Sequence, residues 1–377
     1  MCNKLIIRML VATAVGKIPY LRGMKRRIML FLLLEVALAA FFPEKCPANS
    51  RLGKPADAPI GEQDGAPIGK PADEPIGKQD DTLRILFWNL ENFFDNRADS
   101  TSLSEEEFSS YGTRHWSRRK FQAKCNAVAK GILWAASRQG GLPDVIGLAE
   151  VENRFVLSRL LQSTALRKLD YRMVHFDSPD PRGIDVALLF RASRLEKLEA
   201  KPCHLYNPDS TVMATRDILL FVGLRNGGKT AFLVNHHPSK YGGSAVSGPK
   251  REAAVRRLGQ LADSLSAAGI SRIVAMGDFN DTPANPVYRL LEPALRNLAG
   301  PLFNKGLGTI KYEGAWELID MFFVSEACTG TMDILQIPFL QTPDGTHAGT
   351  KPLRTYSGPR YVGGVSDHCP IWLTLPF

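Results

Sequence analysis

After residue 82 the apolar side chains gather into short runs, each closed or opened by a polar group, with few long helical stripes between them. Leu83–Trp88, Val145–Ala149, Val186–Phe190, Asp217–Val222, Ala231–Val234, Ile273–Met276, Met321–Val324 and Ile371–Leu375 are rich in β-formers and predict strands. In Ser117–Ala136, Phe121, Cys125, Val128 and Ile132 recur at steps of four, three and four. That spacing predicts an amphipathic helix with Ser117 as its N-cap. Glu252–Ala267 predicts a second helix, entered from the Gly/Ser/Pro-rich stretch Gly242–Pro249 and left at Gly269; a weaker third follows Pro286. Strands and helices mixed in one long unit predict buried sheets with helices outside.

The polar groups sit at particular ends of these runs. Asn89, Glu150, His236 and Asp278 follow the C-terminal ends of theirs, whereas Asp320 and Asp367-His368 precede the starts of theirs. If the second set of strands runs antiparallel to the first, all of these groups meet on one rim of a sheet. They supply carboxylates, a carboxamide and imidazoles, which can hold a hard divalent cation and activate water against a phosphate ester. Seven short motifs carry them: Phe87-Trp88-Asn89-Leu90-Glu91-Asn92, Leu148-Ala149-Glu150-Val151, Arg182-Gly183-Ile184-Asp185, Asn235-His236-His237-Pro238, Gly277-Asp278-Phe279-Asn280, Leu318-Ile319-Asp320 and Ser366-Asp367-His368.

In this order and with these apolar flanks, the motifs resemble those of the endonuclease/exonuclease/phosphatase superfamily, over Leu83 to Phe377. The resemblance implies an α/β fold, a four-layer sandwich of two stacked mixed β-sheets flanked by helices, and metal-dependent phosphoester hydrolysis. It makes Asp278 the group that orients or deprotonates the attacking water and Asn280 a donor to the phosphate. His368 resembles the catalytic histidine, with Asp320 as its orienting carboxylate. Asp367 would be a carboxylate on the metal side, and His236 would serve the leaving group, with Asp185 as a partner to be tested by geometry. His237 should point away if its segment is a strand. Glu150, at a strand end, is the leading ligand for Mg²⁺, with Mn²⁺ or Ca²⁺ as substitutes. Asn89 would orient that carboxylate or ligate through its amide oxygen. Glu91, two residues on, is expected to share a strand face with Asn89 and to offer a further metal contact. Arg182 and Lys240 are candidate phosphate contacts. Asp281, before Thr282-Pro283, reads as a turn or cap residue.

Composition then narrows the substrate. The chain has 47 basic and 38 acidic residues, a formal charge of +9; the first 81 residues hold 12 and 9 of them, which leaves +6 on residues 82–377. A mildly basic surface carrying an acidic site favours a polyanionic partner. Arg114-His115-Trp116-Ser117-Arg118-Arg119-Lys120 is either a nucleic-acid grip or a solvated helix start with Trp116 as packing.

The N-terminus reads as an export signal. Lys25-Arg26-Arg27 precedes the apolar run Ile28–Phe42, and Ala37-Leu38-Ala39 fits a small-residue cleavage site. A run of about 15 residues is short against the roughly 20 of a bilayer span, so cleavage is preferred to a membrane tether. Residues 1–46 are thus assigned as signal or anchor. Residues 47–81, where Gly53-Lys54-Pro55-Ala56-Asp57 recurs as Gly69-Lys70-Pro71-Ala72-Asp73, read as a disordered Pro/Gly-rich linker. Residues 82–377 form the hydrolase domain. The cysteines beyond the signal show no CxxC spacing, and Cys369 beside His368 reads as packing. The combined expectation is an exported, monomeric, Mg²⁺-dependent nuclease of low sequence specificity. The alternatives are a phospholipid phosphodiesterase or inositol-phosphate phosphatase of the same fold, and an inactive tethered binding protein.

Overall fold

The computed structural model describes residues 81–98, 102–240 and 243–377. The expected signal and almost all of the repeat segment lie outside the described residues. Two six-stranded sheets organise the rest. In chain order the strands are β1 (Thr82–Phe93), β2 (Val145–Val151), β3 (Tyr171–His175), β4 (Asp185–Arg191), β5 (Glu196–Cys203), β6 (Ile218–Arg225), β7 (Gly228–His236), β8 (Arg272–Asp278) and β9 (Arg296–Asn297). There follow β10 (Ile310–Tyr312), β11 (Ala315–Glu317), β12 (Asp320–Val324), β13 (Thr331–Ile334), β14 (Gln341–Pro343), β15 (Thr350–Pro352), β16 (Tyr356–Ser357), β17 (Arg360–Tyr361) and β18 (Ile371–Pro376). One sheet has the order β13-β18-β1-β2-β4-β3 and the other β5-β6-β7-β8-β12-β9; β10-β11, β14-β15 and β16-β17 are two-stranded ribbons.

Each sheet is built around one parallel pair joined through a long helix. Helix α1 (Arg118–Arg138) lies between the parallel strands β1 and β2, and helix α3 (Ser244–Ala267) between the parallel strands β7 and β8. A short helix, α2 (Arg154–Gln162), follows β2. Antiparallel strands then flank each pair on both sides: β18 beside β1 and β4 beside β2 in one sheet, β12 beside β8 and β6 beside β7 in the other. The antiparallel arrangement required to bring the polar strand ends together is therefore present.

The apolar runs lack polar alternation because their strands are covered on both faces. On β1, Ile85 and Phe87 enter the core between the sheets, among Phe221, Phe232, Val274 and Phe322. Leu86 and Trp88 enter a second core against Phe121, Cys125, Val128 and Ile132 of α1. The sheets approach so closely that a Cβ at Gly147 of β2 would lie 2.7 Å from the Met276 sulfur of β8.

Helix α1 matches expectation, with the Ser117 side chain accepting from Lys120 N–H. Helix α3 begins eight residues earlier than expected and runs through Pro249. Its first turns are secured by Ser247 Oγ donating to the Gly243 carbonyl and by Arg251 Nη1 donating to Ser247 Oγ. After Pro286 the chain forms a 3₁₀ segment, Pro286–Leu291, in place of an α-helix. Among the described residues no helix is long and apolar enough to cross a membrane.

Candidate active site

The strand ends bring five sequence motifs to one point. In register, His236 on β7 pairs with Asp278 on β8, and Asp278 pairs with Asp320 on β12. From the other sheet, Asn89 on β1 reaches across, its Nδ2 donating to Asp278 Oδ2 at 3.0 Å. The same carboxylate oxygen lies 3.6 Å from His236 Nε2 and 3.8 Å from His368 Nε2. Asp278 Oδ1 accepts from the Asn280 N–H at 2.9 Å. Asp278 is thus held between two imidazoles by two donors. Its burial pushes the carboxyl up to about 7, opposed by the His368 charge and reinforced by Asp320.

His368 is oriented from both sides. Its Nδ1 meets Asp320 Oδ2 at 2.8 Å, its backbone N–H donates to Ser366 Oγ at 2.9 Å, and its carbonyl accepts from Trp88 Nε1 at 3.0 Å. Burial disfavours the imidazolium, but Asp320 outweighs this by charge and hydrogen bond and holds the imidazole well above its ordinary range. His236 has the opposite character. It is fully enclosed, and burial together with the charges of Arg216 and Arg182 holds it well below that range. One histidine is therefore cationic and the other neutral near pH 7.

Glu150 ends β2 with Oε2 accepting from Asn92 N–H at 2.7 Å and with Arg182 Nη2 3.6 Å away. Its Oε1 lies 4.0 Å from His236 Nε2. Glu91, Asn92 and Glu150 all have positive φ, at 47°, 53° and 60°, and the ladder between β1 and β2 shifts register over this stretch. Left-handed non-glycine residues are uncommon, and here they aim side chains that a regular strand could not.

This irregularity redirects Glu91. The i, i+2 spacing with Asn89 is expected to place both on one face, but the bulge intervenes. Asn89 turns to Asp278, whereas Glu91 accepts from Arg354 Nε at 2.7 Å and Thr355 N–H at 3.2 Å. Arg354 Nη2 also meets Asp367 at 3.1 Å. Asn280, at φ 52°, donates Nδ2 to the His237 carbonyl at 2.9 Å. Arg182 Nη2 donates to Asn92 Oδ1 and so stands beside Glu150. Lys240 lies farther along this edge, 3.4 Å from Glu317 and 4.0 Å from Asp281.

Five further expectations resolve here. Asp185 does not pair with His236; its carboxylate takes His175 Nε2 at 3.1 Å and the Ser178 N–H at 2.9 Å, because β3 and not β7 lies beside β4. His237 is wholly buried against the Phe279 ring, 4.7 Å between centroids. Asp281 is a turn residue, accepting from Thr282 N–H and Asn285 Nδ2. In the basic run, Trp116 is buried with Nε1 donating to the Phe94 carbonyl, and Lys120 caps the Arg114 and His115 carbonyls. Cys125, Cys203, Cys328 and Cys369 are buried free thiols, and burial pushes Cys369 up to about 12, outside nucleophilic use.

Sequence reasoning missed Lys124, Arg216 and Arg354. Lys124 is fully buried and donates to the Glu91 carbonyl at 2.6 Å and to Thr355 Oγ1 at 2.8 Å. It occupies the apolar stripe of α1, and a charge in that stripe was the available signal. Arg216 donates to Asp180 and to the His237 carbonyl from a buried position. Arg354 sits in a loop with no periodic pattern to mark it.

The donor set suits a hard divalent cation. Asp278 and Asp320 present carboxylate oxygens that lie, with a His368 nitrogen, within 4.8 Å of one another, and Glu150 stands beside His236; a cation would be held by the carboxylates, since the His368 imidazolium has no lone pair to offer. Asp320 Oδ1 is buried without a hydrogen-bond partner among the described residues and so has a lone pair free for a cation.

Residues 84–376 match the profile of the endonuclease/exonuclease/phosphatase family. No curated protein matches the chain significantly. Among solved structures, truncated TDP2 of Caenorhabditis elegans is similar at 15% identity and TM-score 0.51, covering 78% of this chain and 98% of its own. A mannosyl-6-phosphatase of Bacteroides thetaiotaomicron gives 15% and 0.51, covering 78% of this chain and 100% of its own. The human Nocturnin catalytic domain with bound sulfate gives 18% and 0.50, covering 78% and 94%. At these identities the likeness concerns the fold.

Proposed function

The chain belongs to the endonuclease/exonuclease/phosphatase family, and from that premise we propose that it is a divalent-cation-dependent phosphodiester hydrolase acting on nucleic acid. The observation that carries this is the meeting of Asp278, His236 and the Asp320–His368 pair at one point with Glu150 opposite. Glu150, with Asp278 and the Asn89 amide oxygen nearby, would hold the ion; Mg²⁺ fits oxygen donors best, with Mn²⁺ or Ca²⁺ as substitutes. When bound, such an ion supplies Lewis-acid polarisation of a phosphoryl oxygen.

The remaining roles follow from the residues themselves. Asp278, fixed by Asn89 and Asn280, would take a proton from the attacking water. The His368 imidazolium, kept charged by Asp320, would donate from Nε2 to a phosphate oxygen as negative charge grows there. Neutral His236 would serve the leaving oxygen. Arg182 would contact the phosphate, and Asn280 has one amide hydrogen left for the same use. The net positive charge of residues 82–377 supports a polyanionic substrate. The N-terminal pattern adds export to this reading.

A second reading rests on a polar cavity of about 460 Å³ beside the rim, lined by Glu91, Asn92, Arg114, Lys351 and Arg354. It suits a compact phosphorylated polyol, such as an inositol or sugar phosphate, and the likeness in fold to a mannosyl-6-phosphatase is consistent with that.

Turnover of plasmid DNA, single-stranded DNA, RNA, sphingomyelin, inositol phosphates and hexose phosphates, each with Mg²⁺ and with EDTA, separates the readings. Cation-dependent cleavage of nucleic acid is expected, with Glu150→Gln reducing it by about 10²-fold or more and weakening Mg²⁺ binding in calorimetry. Cleavage of polyol phosphates alone would support the second reading. Unchanged rate and Mg²⁺ affinity in Glu150→Gln would remove Glu150 from the site.

A further inference from the structure

Two carboxylates of the rim share a partner that belongs to the chain itself. Glu91 Oε1 meets Arg354 Nε at 2.7 Å, and Asp367 Oδ2 meets Nη2 of the same guanidinium at 3.1 Å. The Glu91 side chain is only 9% exposed, and its other oxygen accepts from Thr355 N–H. Beneath it, the buried ammonium of Lys124 binds the Glu91 carbonyl and Thr355 Oγ1.

Two carboxylates held this close repel each other unless a cation stands between them. In a phosphoester hydrolase, a pair of rim carboxylates offers a place for a second divalent ion. Here a guanidinium stands there. It is always charged, and its planar fork matches two carboxylates at once. The arginine comes from the loop between β15 and β16, next in sequence to Thr355, whose N–H and hydroxyl are tied to Glu91 and Lys124. It is therefore anchored into the rim, yet 54% of its side chain remains exposed.

We propose that Arg354 takes the place of a second divalent cation: the rim accepts one exchangeable ion, on the Glu150 side, while Glu91 and Asp367 hold the guanidinium. The part concerning the exchangeable ion rests on the proposed function; the part concerning Arg354 rests on its own geometry. Glu91 and Asp367 are then not metal ligands in the parent protein. Removing the guanidinium leaves two adjacent carboxylates with no cation between them, and that vacated position should capture a metal ion.

The test counts Mn²⁺ ions bound to the full chain, by calorimetry and by electron paramagnetic resonance of free Mn²⁺. The parent should bind one ion and Arg354→Ala two, while Arg354→Lys, which keeps the charge, should bind one. Adding Glu91→Gln to Arg354→Ala should remove the second ion again. If Arg354→Ala does not fold, Arg354→Gln, uncharged but still a donor, carries the same test. One ion in both parent and uncharged variants would overturn the proposal, as would a parent that binds two and loses one on Glu91→Gln. A parent that binds none would instead count against Glu150 as ligand. In that case a single site gained in Arg354→Ala would still uphold the arginine's role, and none gained would overturn both.

Discussion

Two histidines, 3.6 and 3.8 Å from the same aspartate oxygen, are driven in opposite directions by their surroundings. His368 gains Asp320; His236 is enclosed with no carboxylate bonded to it and with arginines nearby. Asp278 between them is kept ready to accept a proton, at a cost to the fold. Its folded pKa, pushed up to about 7 chiefly by burial, exceeds the ordinary carboxylate value of 3.8. A group raised in this way gives its full stability below the unfolded value and loses it as pH rises through the folded one. Asn cannot ionise, so Asp278→Asn is expected to match the parent in EDTA near pH 4. By pH 8 it should melt several degrees higher, while turnover falls about 10²-fold or more. Equal melting temperatures at pH 8 would show that the carboxylate is not strained by its burial. These residues were legible in the sequence because each sits in a short motif at a strand end. Arg354 and Arg216 were not, since their partners Glu91 and Asp180 come from other segments of the chain and no local pattern announces them. Lys124 was half legible: the helical stripe placed it inward, but nothing in the sequence said what it would meet.

At the scale of elements, the strands that the sequence revealed and those it concealed differ in one respect. All eight apolar runs became strands, and all eight are inner strands of the two sheets. The unpredicted β3, β5, β9 and β13 are the four edges. An edge strand faces solvent along much of its length, as in the mostly exposed Glu196–Cys203, so it lacks the apolar run by which a strand is recognised. The bulges that aim Glu91 and Glu150 were equally invisible, because nothing in their composition favours a left-handed backbone. Close approach between strands is the other hidden constraint. A Cβ at Gly277 would fall 2.4 Å from the Asn235 carbonyl oxygen, on the strand that delivers Asp278. Backbone cannot yield as a side-chain tip can, so Gly277→Ala is expected to destabilise by about 2 kcal/mol or more in urea. It should also depress turnover by shifting Asp278. A change under about 0.5 kcal/mol, the range of ordinary surface substitutions, would mean that β7 and β8 can part to admit the methyl group.

For the whole molecule, the site depends on both sheets at once. Asn89 and Glu150 come from one, and His236, Asp278 and Asp320 from the other. Neither sheet alone could assemble the rim, so activity should vanish in step with global unfolding and not before it. The described fold closes on itself near residue 81: the Phe377 N–H donates to the Asp81 carbonyl at 2.6 Å, and the Thr82 carbonyl accepts from Arg194 and Arg225. Among the described residues, every member of the two cores lies at or after Leu83. A protein beginning at Asp81 is therefore expected to fold by itself, with a single cooperative thermal transition within a few degrees of a protein beginning at Pro47, and with equal turnover per molecule. Beginning instead at Ile85 removes the start of β1, which pairs with Pro376 and Leu375 of β18, and should lower the melting temperature clearly. If the Asp81 protein is unfolded while the Pro47 protein is folded, the repeat segment takes part in the fold and is not a passive linker.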